Sequence, residues 1–111
     1  MMAEVLIEIC VDTPEGLSAA VEGGADRIKI ASSLALGGLS PSAGLLALAR
    51  DCPLPMQALI RPRGGSFVFD DDEKRVQVAD VRYAILAGAS GVVVGGLDED
   101  AIGAVEKFRG H

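Results

Sequence analysis

Two patterns of apolar and polar positions alternate along the 111 residues. Short runs with few polar residues predict buried strands, and longer stretches with apolar positions three or four residues apart predict helices. The strand-like runs cover residues 4–11, 26–31, 56–61 and 90–96, and the helical stretches cover residues 12–24, 40–52, 70–88 and 98–108. This order predicts four β-α units that form a parallel sheet with right-handed crossovers.

Capping residues predict where the helices begin. Thr13 and Pro14 suit the N-cap and first position of the first helix, and Ser40 suits the N-cap of the second. Asp70 and Glu73 have the spacing of a capping box at the start of the third helix. The predicted apolar face of that third helix comprises Val76, Ala79, Val81, Tyr83, Ala84 and Leu86.

Polar residues on alternate strand positions distinguish two parallel architectures. Residues two positions apart on a strand point to the same face of the sheet. Glu8, Lys29 and Arg61 occupy such positions on three of the predicted strands, so one face of the sheet carries polar residues. The opposite positions are apolar: Ile7, Ile9, Ile28, Ile30, Ala58 and Ile60. An open doubly wound sheet would cover both faces with helices, and the burial of those charges without partners would cost much free energy. We therefore predict half of a (β/α)8 barrel, with helices on the apolar face only.

Length and charge narrow the class of protein. We expect residues 1–111 to form one domain. A net charge of -6 and a pI near 4.6, without a basic stripe, argue against nucleic acid as a partner. No apolar run is long enough to span a membrane, and the first residues, which include Glu4 and Glu8, do not resemble a signal peptide. We interpret the two cysteines as reduced thiols of a cytoplasmic protein.

The segment IRPRGGSFVFD, residues 60–70, is a candidate binding loop. It follows the third strand, at the edge where barrel active sites lie. The guanidinium groups of Arg61 and Arg63 could hold a carboxylate or phosphate, and Gly64 and Gly65 let backbone N–H groups approach it. The acidic run 70–72 that follows would repel an anion. The alternative is structural: Arg61 pairs with Glu8, and Arg63 is solvated.

Two further side chains of the polar face have alternative roles. Cys10 fits a small buried hydrophobic residue better than a metal ligand. Lys29, if it were unpaired and buried, could act as an amine nucleophile, but a salt bridge with Glu8 is the favoured hypothesis. None of these residues specifies a reaction, so enzymatic activity is left open.

Three longer stretches resemble a known family. The runs LIEICVDTPEGLSAAVEGGADRI, LGGLSPSAGLL and IRPRGGSFVFDDDE resemble the first half of the CutC copper-homeostasis family over residues 5–97. The resemblance implies a (β/α)8 barrel about twice this length and a cytoplasmic protein that handles copper. The family usually has Glu and Cys where this chain has Lys29 and Ala31, so the resemblance leaves Cys10 as the thiol of any copper site. Because Cu(I) prefers at least two soft ligands, we expect weakened copper binding.

The free edges of the predicted sheet also bear on how the chain assembles. Four parallel strands have two free edges, and a lone half-barrel would expose the apolar part of its inner surface. A homodimer in which the first strand pairs with the partner's fourth strand would close one eight-stranded barrel. Three hypotheses follow: a CutC-like copper-homeostasis half-barrel, a binder or enzyme for a small anionic metabolite at the barrel mouth, and a structural, truncated or engineered half-barrel without activity.

Overall fold

Four strands and three helices alternate in the computed structural model, which describes residues 5–96. The elements are β1 (Glu8–Val11), α1 (Pro14–Glu22), β2 (Arg27–Ile30), a short 3-10 turn (Leu34–Leu36), α2 (Ala43–Arg50), β3 (Met56–Ile60), α3 (Asp71–Leu86) and β4 (Gly91–Val94). The predicted strand-helix order is confirmed. The strands are shorter than predicted, most of all β1, which begins at Glu8. The predicted helix 98–108 lies outside the described residues.

Side-chain caps fix the starts of the helices. The Thr13 hydroxyl accepts a hydrogen bond from the Gly16 N–H at 2.9 Å, so the predicted cap of α1 is confirmed. Asp70 and Glu73 form the predicted capping box of α3. The predicted cap of α2 is wrong: Ser42, not Ser40, caps that helix. Ser40 lies in the preceding loop, because its hydroxyl accepts from the backbone N–H of Arg61 at 2.8 Å.

The sheet is parallel throughout, in the order β1-β2-β3-β4. The three helices pack on one face of it, which we call the core face. On that face Ile28, Ile30, Ala58 and Ile60 are buried against Leu17 and Ala20 of α1, Leu46 and Ala49 of α2, and Ala84 of α3. Sequential strand order with helices on a single face matches a half-barrel and excludes a doubly wound sheet for residues 5–96.

The opposite face, which we call the open face, carries the polar strand positions. Register places Glu8 opposite Arg27, and places Cys10, Lys29 and Gln57 in one row across β1, β2 and β3. These side chains are partly or fully exposed in the structure, whereas the register partners on the core face of β2 and β3 are buried. The predicted division of the sheet into a polar and an apolar face is therefore confirmed.

The packing of α3 differs from the prediction. Its buried residues are Gln77 and Ala84, with Val81 partly buried, whereas Val76, Tyr83 and Leu86 are exposed. Ala84 and Val81 lie on the stripe that meets β3 and β4, and the exposed residues lie beside it. None of the helices within residues 5–96 combines the length and apolar character needed to cross a membrane.

Candidate functional site

A cluster of three charges occupies the open face near the start of β1 and β2. The Glu8 carboxylate lies between two cations: Oε1 is 3.1 Å from Lys29 Nζ, and Oε2 is 2.5 Å from Arg27 Nε. Partial burial raises the pKa of Glu8, but the contacts and charges of Lys29 and Arg27 together outweigh that effect and hold this pKa below its ordinary value. The predicted ion pair of Glu8 with Lys29 is confirmed, and Lys29 is therefore not a free amine.

Arg61 lies apart from this cluster, so its predicted pairing with Glu8 is wrong. Its Nη1 donates to the carbonyl oxygens of Leu36 and Gly38, both at 3.1 Å, and its Nη2 donates to that of Gly65 at 3.3 Å. The guanidinium also stacks over the ring of Phe67, 4.9 Å from its centroid. Arg61 thus joins the loop after β2 to the loop after β3. Its Nε is shielded from solvent and has no acceptor among residues 5–96.

Arg63 is fully engaged within its own loop. Nη1 donates to the carbonyls of Gly64 and Ser66, and Nη2 donates to the carbonyl of Val68 at 2.8 Å. Nε and Nη2 also contact the two carboxylate oxygens of Glu73. All five N–H donors of the guanidinium therefore have acceptors. The hypothesis of a solvated Arg63 is wrong, and its geometry favours the shaping of the loop over direct contact with a ligand.

The loops after β1, β2 and β3 are joined into one surface, which we call the rim: residues 12, 32–40 and 61–69. The Asp12 carboxylate accepts from the Leu34 N–H at 3.1 Å, and Ser32 exchanges backbone hydrogen bonds with Leu39. The backbone N–H of Ser40 donates to the carbonyl of Arg61 at 2.9 Å. The rim is thus held by polar contacts within the described residues, at the carboxyl end of the strands.

Three glycines of the rim, Gly37, Gly38 and Gly65, have positive φ. Gly65 has φ of +83°, which permits the turn beneath Arg61, while Gly64 has open space around its Cα. Gly38 has φ of +93°, and a Cβ at that position would lie 2.7 Å from Leu59 Cδ2. The loop after β2 therefore folds down onto the open face at Leu59. The sequence singled out Gly64 and Gly65 but not Gly38.

Cys10 is exposed on the open face, so the prediction of a buried hydrophobic residue is wrong. Its row neighbours are Lys29 and Gln57, neither of which is a soft ligand. Ala31 is buried, with its Cβ close to Gly38. Cys52 packs against the hydrophobic core on the other side of the sheet. Residues 5–96 contain no group of three or more His, Cys, Asp or Glu side chains placed to hold a metal ion.

The contacts of two charged residues, Arg27 and Asp80, were not predicted from the sequence. The sequence did not lead to a pairing of Arg27 with Glu8, although Arg27 is the direct register partner of Glu8. Asp80 of α3 lies beside Ser40, Tyr83 and Ile60 at a small cavity between α2 and α3. Burial raises the pKa of the Asp80 carboxyl, and contact with the Ser40 hydroxyl only partly offsets this. An acidic residue in a helix usually faces solvent, so the sequence gives no signal that Asp80 is partly buried.

This arrangement of fold and loops agrees with comparisons to known proteins. The model of the CutC family matches residues 5–109. The chain belongs to the CutC family. CutC family proteins of Sinorhizobium medicae and Vibrio cholerae are each 50% identical to it, over 94 and 95 residues that cover 85% of this chain. The CutC family protein of Agrobacterium fabrum is 46% identical over 110 residues, 96% of this chain.

A solved structure also matches almost the whole length of this chain. A crystal structure described as the copper homeostasis protein CutC from Streptococcus agalactiae superposes with a TM-score of 0.87 and 26% identity, over 96% of this chain and 54% of that one. The chain spans 38%, 37% and 44% of the Sinorhizobium, Vibrio and Agrobacterium CutC relatives, respectively. The predicted half of a TIM barrel is therefore confirmed, while the properties of whole CutC proteins do not transfer directly.

Proposed function

We propose that this chain is the first half of a copper-homeostasis barrel and that this half by itself binds copper weakly. The observation that supports this is the row of Cys10, Lys29 and Gln57 on the open face. A single thiol beside an ammonium group is a poor site for Cu(I), which prefers two or more soft ligands and is itself a cation. Both cysteines are free thiols, in keeping with a protein of the reducing cytoplasm.

A Cu(I) competition titration against a chromophoric chelator, under anaerobic and reducing conditions, tests the copper proposal. We expect weak binding that Cys10→Ala abolishes and Cys52→Ala leaves unchanged, because Cys52 packs on the other side of the sheet. A stoichiometric site with sub-nanomolar affinity that depends on Cys10 would contradict the proposal and would restore full copper handling to this half.

A gain-of-function variant sharpens the same test. Lys29 is the register partner of Cys10 in the neighbouring strand. Lys29→Cys would place two thiols side by side on the open face, about 5 Å apart at their Cα atoms. We expect this variant to bind Cu(I) at least about tenfold more tightly than the parent chain. Unchanged affinity would show that the open face cannot present two ligands to one ion.

A second candidate function is the binding of a small anion inside the barrel, between the charge cluster of the open face and the rim. Two cations, Arg27 and Lys29, share the single carboxylate of Glu8, so this cluster keeps one net positive charge. Arg61 adds positive charge at the rim, although its Nε is shielded from solvent and its Nη1 and Nη2 already donate to carbonyl oxygens of the loops. Gly64 and Gly65 add backbone that a ligand can approach. In this version of the proposal, Arg63 supports the loop and the other cations attract the anion.

Inorganic phosphate and succinate, titrated separately while backbone amide shifts are followed by NMR, are suitable probes. We expect Lys29→Met to weaken binding at least about tenfold, since it removes one charge from the open face. Lys74→Met removes the same charge from α3, where Lys74 lies 4.0 Å from Asp71, and it should leave the affinity unchanged. If neither anion nor copper binds, the hypothesis of a structural half-barrel is the one that remains.

We also propose that two copies close one barrel. β1 and β4 are the two edges of the described sheet, and each presents unpaired backbone groups. Pairing of β1 with β4 of a second copy would give eight strands and would place each rim twice around one mouth. Light scattering at micromolar concentration should give twice the chain mass of 11.4 kDa. A compact monomer would contradict this assembly.

A further inference from the structure

Ser40 connects the loop after β2 to the end of β3 through both its backbone and its hydroxyl group. Its backbone N–H donates to the carbonyl of Arg61 at 2.9 Å, and its hydroxyl oxygen accepts from the backbone N–H of Arg61 at 2.8 Å. Its carbonyl oxygen accepts from the Ser32 hydroxyl at 2.8 Å. Ser40 therefore fixes the backbone at the point where the Arg61 side chain enters the rim.

The Ser40 hydroxyl also faces the carboxyl group of Asp80 on α3. Both residues line a cavity of about 20 Å³ whose other walls are Pro41, Leu46, Ile60, Tyr83 and Ala84. Among the described residues that line this cavity, Tyr83 is the only other titratable one, and the walls from α2 and β3 are apolar. The charged residue of α2, Arg50, packs instead against Gly88, beyond the end of α3. Desolvation raises the pKa of Asp80, and the Ser40 hydroxyl opposes this.

The two protonation states of Asp80 make different demands on the Ser40 hydroxyl, which has one proton to donate. When Asp80 is ionised, its carboxylate is a strong acceptor for the Ser40 proton, so the lone pairs of the Ser40 oxygen are left for the Arg61 N–H. When Asp80 is protonated, its own O–H can donate to the Ser40 oxygen and compete with the Arg61 N–H. The hydrogen bond that Arg61 donates to Ser40 is therefore stronger when Asp80 carries its charge.

We propose that Asp80 is a positioning residue that tightens the rim at Arg61 when it is ionised and loosens the rim when it is protonated. The route is short, because it runs from a carboxyl of α3 through the Ser40 hydroxyl to the backbone of Arg61. Arg61 transmits the change, since its guanidinium donates to carbonyl oxygens of the loops after β2 and β3. This coupling does not depend on whether the rim or the open face binds copper or an anion.

Amide hydrogen exchange, followed by NMR on the full chain, tests the proposal. Exchange is expressed as a protection factor, which removes the intrinsic dependence of exchange on pH. In the parent chain we expect the protection factor of the Arg61 amide to fall at least about fivefold as the pH drops from 7 through the pKa of Asp80, because one hydrogen bond is weakened. The carboxyl carbon resonance of Asp80 reports its titration independently, and the two transitions should coincide.

Three variants separate this coupling from a general loss of stability. In Asp80→Asn no charge changes at this position, so the fall in protection of the Arg61 amide should shrink to less than about twofold. In Ser40→Ala the carboxyl should still titrate, but the Arg61 amide has lost its acceptor and should show low protection at every pH. Asp72→Asn is the matched control, because it removes an exposed carboxylate of α3 and should leave the response of the parent unchanged.

The outcomes that would overturn the proposal are equally specific. A fall in protection that is as large in Asp80→Asn as in the parent would assign the response to other carboxylates. An Arg61 amide that still follows the titration of Asp80 in Ser40→Ala would exclude the route through the hydroxyl. A parent chain whose Arg61 amide keeps the same protection at every pH would show that no coupling exists. If Ser40→Ala does not fold, the parent and Asp80→Asn decide the question by themselves.

Discussion

Arg63 contacts both carboxylate oxygens of Glu73, ten residues later in the chain. The same Glu73 accepts from the backbone N–H of Asp70 at 3.1 Å and so completes the capping box of α3. The pKa of Glu73 is held below its ordinary value, first by the hydrogen bond from Arg63 and then by that from Asp70. The loop after β3 and the first turn of α3 therefore depend on one guanidinium.

Removal of that guanidinium should destabilise the rim. Arg63→Ala would leave the carbonyls of Gly64, Ser66 and Val68 without their donor, and we expect the Tm to fall by several degrees. Arg75→Ala is the control, because Arg75 makes only an exposed contact of 3.6 Å with Asp72. Differential scanning calorimetry compares the two. Equal Tm values for both variants would show that Arg63 does not hold the loop.

Lys29→Glu, which introduces the residue that the family resemblance implies at this position, should destabilise the chain. The new carboxylate would lie beside Glu8 in place of an ammonium at 3.1 Å, and Arg27 alone would have to balance two negative charges. We expect a loss of about 1 to 3 kcal/mol in the free energy of unfolding, measured in urea. Lys74→Glu makes the same change of charge on α3 and should alter stability by less than about 0.5 kcal/mol. A Lys29→Glu variant as stable as the parent would mean that the cluster contributes nothing.

Asp80→Asn should stabilise the chain at neutral pH. Burial raises the folded-state pKa of Asp80, so the folded state binds a proton more readily than the unfolded chain. The contribution of Asp80 to the free energy of unfolding therefore falls as the pH rises from the ordinary pKa through the raised one. At neutral pH the ionised carboxylate of Asp80 destabilises the folded state. The asparagine amide removes that cost and can keep the contact with Ser40. The predicted sign is a higher Tm than the parent at pH 7.

The gain from Asp80→Asn should disappear in acid, at about pH 3, where the parent carboxyl is protonated in both states. Thermal melts across this range measure it. Asp72→Asn changes an exposed carboxylate in the first turn of α3 and should give no gain at pH 7, since the helix dipole favours an acid there. A gain that is independent of pH would contradict the explanation from burial.

Gly38→Ala should destabilise the folded chain, whereas Gly64→Ala should leave its stability nearly unchanged. At Gly38 a Cβ would meet Leu59 at 2.7 Å, and the backbone has φ of +93°. We expect a loss of about 1 to 2 kcal/mol, chiefly from the left-handed backbone, because Leu59 Cδ2 is the end of a side chain that can shift away from the added Cβ. Gly64 has neither a positive φ nor a neighbour within 4 Å of the added Cβ, so its substitution should be nearly neutral. Chemical denaturation of both variants provides the comparison, and a neutral Gly38→Ala would mean that the left-handed backbone at this position is not required.

Periodicity predicted the sheet well, for a physical reason. Alternation along a strand directly reports which face is buried, so the core positions of Ile28, Ile30 and Ile60 followed from the pattern. The start of α2 did not follow, because Ser40 and Ser42 both suit a cap and the choice depends on the hydrogen bond between Ser40 and Arg61. The buried face of α3 failed similarly, since Gln77 is buried and Val76 is not.

The candidate site was predicted less completely than the fold. Glu8 and Lys29 were paired from strand faces alone, because neighbouring parallel strands bring such side chains within reach. The roles of Arg61 and Arg63 depend instead on where the carbonyl oxygens of their loops point. That direction is set by the loop conformation, which leaves no periodic signal in the sequence.

Within the described residues 5–96, the hydrogen bonds that hold the rim loops together fall between residues 12 and 73. Asp12 meets Leu34, Arg61 meets Leu36, and Arg63 meets Glu73. During synthesis on the ribosome, every partner in this set is therefore available before β4 has been made. The rim loops can form their contacts with one another while the chain is still growing, before the last strand of the described sheet exists.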